Sequence, residues 1–265
     1  MKQSMALCIV LVTLCGDMLL PQVPTARPKM ATDVDPVFEV ATIKPSRPEE
    51  RLAILVQGRR FITTAGSLYD LIAFAYGLHP RQITNGPSWL ETEKYDVTAQ
   101  PGSEGQPNGQ QLRVMVQKLL ADRFRLTFHR DKKELSAFTI AVGNAGIKIA
   151  QSSDPDGTPG VGFKGPGAMT VKSATISDFA GFMQRYVLDR PVVDQTHIAG
   201  KYDFSLNWTP NEFQFEGRAF EPAKQTGDAA DLFTAIQEQL GLKLESAKVP
   251  VEVLVIDRVE KPSDN

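Results

Sequence analysis

Cysteine is almost absent from the 265-residue chain, and the positions of the few cysteines decide what chemistry they can support. The two cysteines, Cys8 and Cys15, both lie in the first fifteen residues. From Gly16 onward the chain therefore has no thiol for a disulfide, a nucleophile, or a cysteine-based zinc or iron–sulfur site. Its folded part must be held by a hydrophobic core, which a chain of about 240 residues can supply.

An excess of charge of one sign is also missing. The 29 lysines and arginines nearly balance 31 acidic residues, which gives a net charge of −2 and a pI near 6.0. Because nucleic-acid-binding domains normally need a basic surface, we expect no nucleic-acid partner. Histidine is scarce too: His79, His129 and His197 lie far apart, and none is in an H-E-x-x-H motif. A histidine-based metal site would need all three to converge, together with a carboxylate such as Asp194, so we expect no metal and no cofactor.

The first 26 residues predict a cleaved export signal. Lys2 precedes an uncharged, mostly apolar run at residues 5–14 that is too short to span a bilayer, and Ala26 could be the last residue before cleavage. One alternative is lipidation at Cys15, although the residue before it is bulky. Another is a buried N-terminal helix, which the prolines that follow disfavour. We therefore expect signal peptide 1–26 and a periplasmic or secreted protein that does not span the membrane once mature.

Hydrophobic patterning after residue 37 predicts the same order of elements twice. Each half reads strand, helix, strand, strand, helix and β-hairpin, with the hairpins turning at residues 131–133 and at Lys248. At an offset of 108 residues, Phe61, Leu68, Asp70, Leu71 and Phe74 match Met169, Ile176, Asp178, Phe179 and Phe182. We predict an α+β fold of two pseudo-symmetric repeats, 37–143 and 165–260, in which helices pack on twisted, mostly antiparallel sheet. A Gly/Pro-rich linker loop, 144–164, would join them.

A Tyr-Asp pair recurs in both halves. Tyr95-Asp96 and Tyr202-Asp203 correspond at an offset of 107 residues. Repetition in both copies predicts a fold role, with the tyrosine packed under a helix and the aspartate accepting backbone amides. The two tryptophans, Trp89 and Trp208, have no counterparts. They are candidates for ligand stacking, although such residues more often fill a core or plug a sheet edge.

Two short motifs imitate binding loops. Gly160–Gly165 satisfies G-x-G-x-x-G, but the preceding strand and following helix that a phosphate site requires are missing from the pattern. We predict a flexible loop between the repeats there. Asp154–Gly157 resembles the start of a calcium loop, but the acid that should close the loop falls at Gly165, so we predict no calcium site.

The most basic stretch of the chain alternates with apolar residues and would line the outer face of a strand and its hairpin. It comprises Arg123, Arg125, His129, Arg130, Lys132 and Lys133. One interpretation is a patch for an anion or an acidic glycan. The favoured one is a solvated strand face that resists aggregation.

Several segments resemble a bacterial family called soil-associated proteins. In order, they are Phe38–Ser46, Asp70–Gly77, Gly86–Leu90, Leu119–Phe124, Arg190–Asp194, Gly200–Phe204, and Gln237–Leu244 through Val251–Asp257. The resemblance runs from about Phe38 to Pro262. It implies an exported protein of acidobacterial type, with no assigned activity and no catalytic residues to transfer. Some relatives are fused behind a membrane metallopeptidase of the antibiotic-sensor type, which suggests extracytoplasmic sensing or binding.

We therefore expect an exported, non-enzymatic binding or sensing module whose ligand or envelope partner is unknown, with a cleft between its halves. One alternative is an extracytoplasmic hydrolase of a cell-wall or environmental polymer, using carboxylates such as Asp96 or Asp194. No G-x-S-x-G motif supports a serine hydrolase. Another alternative is a structural envelope protein. If the protein is a hydrolase, titratable groups should converge in one pocket. If it is a binding module, the pocket should have an apolar or aromatic lining without a paired acid and base. If it is a structural protein, it should have an exposed sheet edge and no pocket.

Overall fold

A computed structural model describes residues 28–215 and 230–262. The predicted signal peptide, 1–26, lies outside these residues. The described chain forms three four-stranded sheets, mostly antiparallel, with helices packed against them, which confirms the α+β class. No helix in these two ranges is long and apolar enough to cross a membrane.

The elements follow one another along the chain with short connections. The first part holds β1 (Phe38–Pro45), β2 (Ala53–Gln57), β3 (Arg60–Ser67), α1 (Leu68–Tyr76), a 3₁₀ turn (Pro80–Gln82), β4 (Ile83–Thr84), α2 (Trp89–Thr92), β5 (Lys94–Pro101), α3 (Gly109–Arg123) and β6 (Thr127–Val142). The second holds β7 (Ala150–Gln151), β8 (Gly160–Gly165), β9 (Ala168–Ala174), α4 (Ile176–Tyr186), β10 (Val192–Asp194), β11 (Tyr202–Asn207), α5 (Leu232–Ala235) with a π-helical turn (Ile236–Leu240), and β12 (Leu242–Arg258).

Helices α1 and α4 begin with the same local chemistry. The Ser67 hydroxyl accepts the Asp70 N–H, and the Asp70 carboxylate accepts the Ser67 N–H in return. Thr175 and Asp178 form the same reciprocal capping box at the start of α4. Each box satisfies amides that would otherwise be unpaired at the helix start. Helix α1 ends at Gly77, which takes the left-handed conformation with φ of 70°.

The two outer sheets have corresponding strand orders. One is β1-β5-β3-β2 and the other is β7-β11-β9-β8. Between them lies a sheet of order β10-β6-β12-β4, in which β6 and β12 are antiparallel and the short strands flank them in parallel. Elements of both predicted repeats therefore share the central sheet.

The predicted β-hairpins are instead two long single strands. Strand β6 runs through Asp131-Lys132-Lys133 without turning, and β12 runs through Lys248. The two strands pair with each other from Leu242 opposite Val142 to Arg258 opposite Thr127. Each polar stretch lies in a strand because the other long strand supplies its backbone hydrogen bonds.

The long strands carry residues of each predicted repeat into the core of the other. Leu254 and Ile256 of β12 belong to the first hydrophobic cluster, built around α1 and α3. Phe138 and Ile140 of β6 belong to the second, built around α4 and α5. This exchange ties the two halves together along the central sheet, so neither core is complete within one predicted repeat.

The predicted linker loop also contains strand. Gly160–Gly165, expected to be a flexible loop, forms β8 and pairs with β9. The local sequence is poor in strand-forming residues, and pairing with a neighbouring strand overrides that weak preference.

Candidate functional site

A cleft of about 400 Å³ opens where α1 and α3 meet α4 and the start of β8. Tyr76, Gly77 and Arg113 come from the first half, whereas Pro159 and Val161 come from the approach to β8 and from β8 itself. The remaining wall is helix α4. The cleft expected between the halves is therefore present.

One face of α4 forms this wall. It presents Ser177, Asp178, Gly181, Phe182, Arg185 and Tyr186 to the cleft. Residues four apart stack on the same side of a helix, so this spacing gives a continuous surface. The opposite face of α4, which includes Phe179 and Met183, is buried in the second core.

Two arginines from different halves converge at the cleft. A Cβ placed on Gly77 would lie 3.6 Å from Nη1 of Arg113 and 3.8 Å from Nη2 of Arg185. Burial by neighbouring protein lowers the pKa of Arg113 even though much of its side chain is exposed, and the positive charge of Arg185 lowers it further. The guanidinium still remains charged at neutral pH, because the ordinary arginine pKa is so high.

Within the described residues, Arg185 donates hydrogen bonds to the protein and Arg113 does not. Arg185 donates from Nη2 to the carbonyl oxygens of Ala73, at 3.0 Å, and Phe74, at 3.3 Å, at the end of α1. Arg113 donates no hydrogen bond to any described residue, and neither arginine lies within 4.0 Å of a carboxylate in the described ranges. The cleft therefore holds a guanidinium, that of Arg113, that has no hydrogen bond or close ion pair with the part of the chain that the structure describes.

The carboxylate that lines the cleft, Asp178, accepts hydrogen bonds as part of the cap of helix α4. Asp178 accepts the Thr175 N–H at 3.0 Å and the Thr175 hydroxyl at 2.7 Å. Beside it, the Ser177 hydroxyl donates to Asp194, at 2.8 Å. Asp194 also accepts the N–H and hydroxyl of Thr196. The cleft lining thus lacks the pair of free carboxylates that acid–base hydrolysis uses.

The three histidines do not come together. His79 is buried at the start of the 3₁₀ turn, where its Nδ1 accepts the Arg81 N–H. His129 pairs with Asp257 at 2.7 Å on the exposed face of the central sheet. His197 lies at an exposed turn with φ of 54°. No group of three His, Cys, Asp or Glu side chains in the described ranges is arranged to hold a metal ion.

The aspartates of the recurring Tyr-Asp pairs accept backbone amides, as predicted. Asp96 accepts the Ala65 N–H at 2.9 Å, and Asp203 accepts the Ser173 N–H at the same distance. Both donors adopt positive φ, 50° and 46°. The two aspartates therefore stabilise matching irregular bends before α1 and α4. The Ser173 amide, followed by Lys172 and Ser152, lowers the pKa of Asp203 to about 2.

Trp89 and Trp208 pack within the fold, away from the cleft. Trp208 is fully buried and donates from Nε1 to Gln214 at 2.8 Å. Trp89 packs against the edge of the first core, with Lys261 5.8 Å from its ring. Neither ring lines the cleft.

The basic part of β6 forms an ion pair and hydrogen bonds on a solvated face. Arg130 pairs with Glu252, His129 with Asp257, and Lys133 donates to the Thr84 hydroxyl. These partners come from β12, which pairs with β6, and from β4 on the far side of β12. The favoured interpretation of this stretch, a solvated strand face, fits the structure better than an anion patch.

The two segments that resemble phosphate and calcium loops lack the geometry of such sites. Gly160–Gly165 is followed by β9, so the helix that a phosphate motif requires directly after its glycines is replaced by a strand. In the Asp154–Gly157 turn, the backbone oxygen of Asp154 accepts the Ser173 hydroxyl at 2.6 Å. Both segments make backbone contacts with the sheet formed by β7, β11, β9 and β8.

Residues 69–259 match the family described as "Protein of unknown function (DUF3738)". The match spans most of the described chain. The protein belongs to this family. No curated protein and no solved structure is detectably similar to it. In this member of DUF3738, the residues that form the cleft, from Tyr76 to Tyr186, all fall inside the matched range.

Sequence reasoning missed the residues that form the cleft. Arg113 and Arg185 belong to ordinary amphipathic helices, in which a charged residue on the outer face signals nothing. Gly181, at the middle of α4, was the available signal, because a glycine inside a helix needs a reason.

Proposed function

We propose that this protein is an exported bacterial binding or sensing module of the soil-associated type, with a small-molecule ligand in the cleft between α1, α3 and α4. The observation that carries the proposal is the composition of that cleft. Aromatic side chains and two converging arginines line it, and its single carboxylate is held in a helix cap. Clefts of a few hundred Å³ at the junction of two structural units are common ligand sites.

A hydrolase is less well supported. Its candidate carboxylates, Asp96 and Asp194, accept hydrogen bonds from turns and bends of the backbone. Neither lines the cleft. A structural envelope role would use an exposed sheet edge, and Leu55 and Val56 do lie exposed on the edge strand β2. That role gives no reason for a cleft arginine, Arg113, that has no hydrogen bond or close ion pair among the described residues.

The cleft can be tested by filling it. A Cβ on Gly181 would meet nothing within 4 Å, so Gly181→Leu should fold and occupy the space that a ligand needs. Compounds that raise the unfolding temperature of the wild-type protein should fail to stabilise this variant. Tyr69→Leu, on the helix of the other half, is the control and should retain every hit. A broad screen in which wild type and Gly181→Leu respond alike to every compound would overturn the proposed site.

Export is tested separately with the full chain. Expressed in a bacterial host, the protein should accumulate outside the cytoplasm and begin shortly after Ala26. Recovery of cytoplasmic protein that still begins at Met1 would contradict the proposed localisation.

A further inference from the structure

We infer that the cleft takes a small organic oxyanion that carries a flat ring, with the anion between Arg113 and Arg185 and the ring against Phe182 and Tyr186. This inference rests on the proposed function, since it names the ligand class of the same cleft. The shared chemistry covers carboxylates and phosphate esters.

The anion half of the inference comes from unbalanced charge. The Arg113 and Arg185 guanidinium groups approach one point beside Gly77, and like charges so placed repel each other. Among the described residues no carboxylate lies within 4.0 Å of either group, and the more distant Asp178 has a smaller effect on the pKa of Arg113 than Arg185 has. An oxyanion bridging the two groups would offset the repulsion, because guanidinium groups bind carboxylates and phosphates through paired, charge-assisted hydrogen bonds.

The ring half comes from the aromatic side chains next to the arginines. The ring centroids of Phe182 and Tyr186 lie 4.7 Å apart on α4, and Phe163 lies 5.1 Å from Phe182. Tyr186 and Phe163 remain 46% and 40% exposed. The Cζ atom of Arg185 lies only 5.7 Å from the Tyr186 ring centroid. A charged group and a flat ring must therefore be close together in one compact ligand.

Gly181 gives independent support. It lies at the centre of α4, where glycine is the least favourable residue apart from proline. Packing does not require it, since a Cβ would enter open space on the cleft side. A ligand that approaches the helix backbone closely explains why a side chain is missing there.

The test uses calorimetric titration of the purified protein with benzoate and with phenyl phosphate, which separate the carboxylate from the phosphate source. Benzamide is the neutral ring, and acetate and inorganic phosphate are anions without a ring. We expect at least one ring-bearing oxyanion to bind about tenfold or more tightly than the neutral ring and than its ringless counterpart.

Variants separate the two halves of the site. Arg113→Gln should weaken binding of the ring-bearing oxyanion about ten- to a hundredfold, because it removes a charged donor that makes no hydrogen bond within the described protein. Tyr186→Ala should weaken it about two- to tenfold. Arg51→Gln removes the same charge from an exposed position outside the cleft and should leave the affinity unchanged.

The outcomes distinguish this inference from the proposed function. Equal binding of benzamide and benzoate, with loss only in Gly181→Leu, would overturn the anionic class and leave the binding module intact. Equal binding of inorganic phosphate and phenyl phosphate would overturn the ring. Failure of both ring-bearing oxyanions to bind wild type at millimolar concentration would overturn the whole inference, whereas the proposed function would still stand if other compounds responded to Gly181→Leu.

Discussion

His79 should make the stability of the fold fall as the pH drops below neutral. Its side chain is only 8% exposed, between the end of α1 and the start of β4. Burial lowers the pKa of His79 from 6.5 to about 4, and the charge of Arg81 contributes, against a smaller opposing effect of Asp189. Its neutral Nδ1 accepts the Arg81 N–H at 3.1 Å, a bond that protonation would remove.

The size of the effect follows from proton linkage. Below pH 6.5 the imidazole of the unfolded chain gains a proton while the folded one stays neutral, so acid favours unfolding until the folded imidazole is protonated too. A lowering from 6.5 to about 4 corresponds to a loss of about 2 kcal/mol by about pH 5 and about 3 kcal/mol by about pH 4. Above neutral pH the effect vanishes.

Urea unfolding at a series of pH values measures how the free energy of unfolding depends on pH. His79→Asn keeps a side-chain acceptor at the start of the turn but cannot titrate. The substitution can lower the free energy of unfolding equally at every pH without affecting the test, because the two proteins are compared only in how that free energy changes with pH. Asp203, whose pKa is about 2, and other carboxylates with lowered pKa values contribute at more acidic pH in both proteins.

The difference between the two pH profiles tests the reasoning. Wild type should lose about 2 kcal/mol more than His79→Asn between about pH 7 and about pH 5. His197→Asn removes an exposed imidazole and is the control. The change in pH dependence caused by His79→Asn must be larger than the change caused by His197→Asn. Parallel profiles for wild type and His79→Asn would refute the buried, neutral state of His79.

Five further substitutions test the local structure by chemical denaturation. Gly181→Ala should raise the free energy of unfolding by about 0.5–1 kcal/mol, because the new methyl group improves helix propensity and enters open space; a loss would mean that the cleft wall is packed. Arg125→Gly should stabilise by a similar amount, since Arg125 follows α3 with φ of 52°. Gly241→Ala, at the matching left-handed position after the last helix, should instead cost more than about 2 kcal/mol, because its Cβ would lie 2.0 Å from a backbone oxygen; equal responses at the two positions would contradict this assignment. Ser67→Ala and Thr175→Ala should each cost about 1 kcal/mol through loss of a capping box, and no change in either would show that its cap is not needed.

Features encoded by a few neighbouring residues were predictable. Ser67 caps the start of α1 and Gly77 ends it, and both residue types are typical of these positions. The aspartates of the Tyr-Asp pairs likewise accept nearby amides. Capping depends on side chains within a few residues of each other along the chain, so the local sequence specifies it. The bend contacts join residues 31 and 30 positions apart, and the repetition of the Tyr-Asp pair in both halves indicated them.

Features that depend on distant partners were not predictable in the same way. Asp131-Lys132-Lys133 has the composition of a turn, yet it continues as strand because β12 lies alongside and places Glu252 opposite Lys132. The glycines of β8 are likewise held in a strand by β9. In both cases, pairing over a long sequence separation decides the conformation, and a local pattern contains no information about the partner.

The cleft arises where the two halves differ. At the offset of 108 residues, α1 and α4 start alike, but α1 stops after nine residues at Gly77, whereas α4 continues to eleven. The additional residues of α4 include Arg185, at the position that corresponds to Gly77, and its guanidinium donates to the carbonyl oxygens of Ala73 and Phe74 in the last turn of the shorter helix. That contact binds the halves together and brings the Arg185 charge beside Arg113. Features shared by the halves therefore account for the fold, and the departure from the shared pattern accounts for the candidate site.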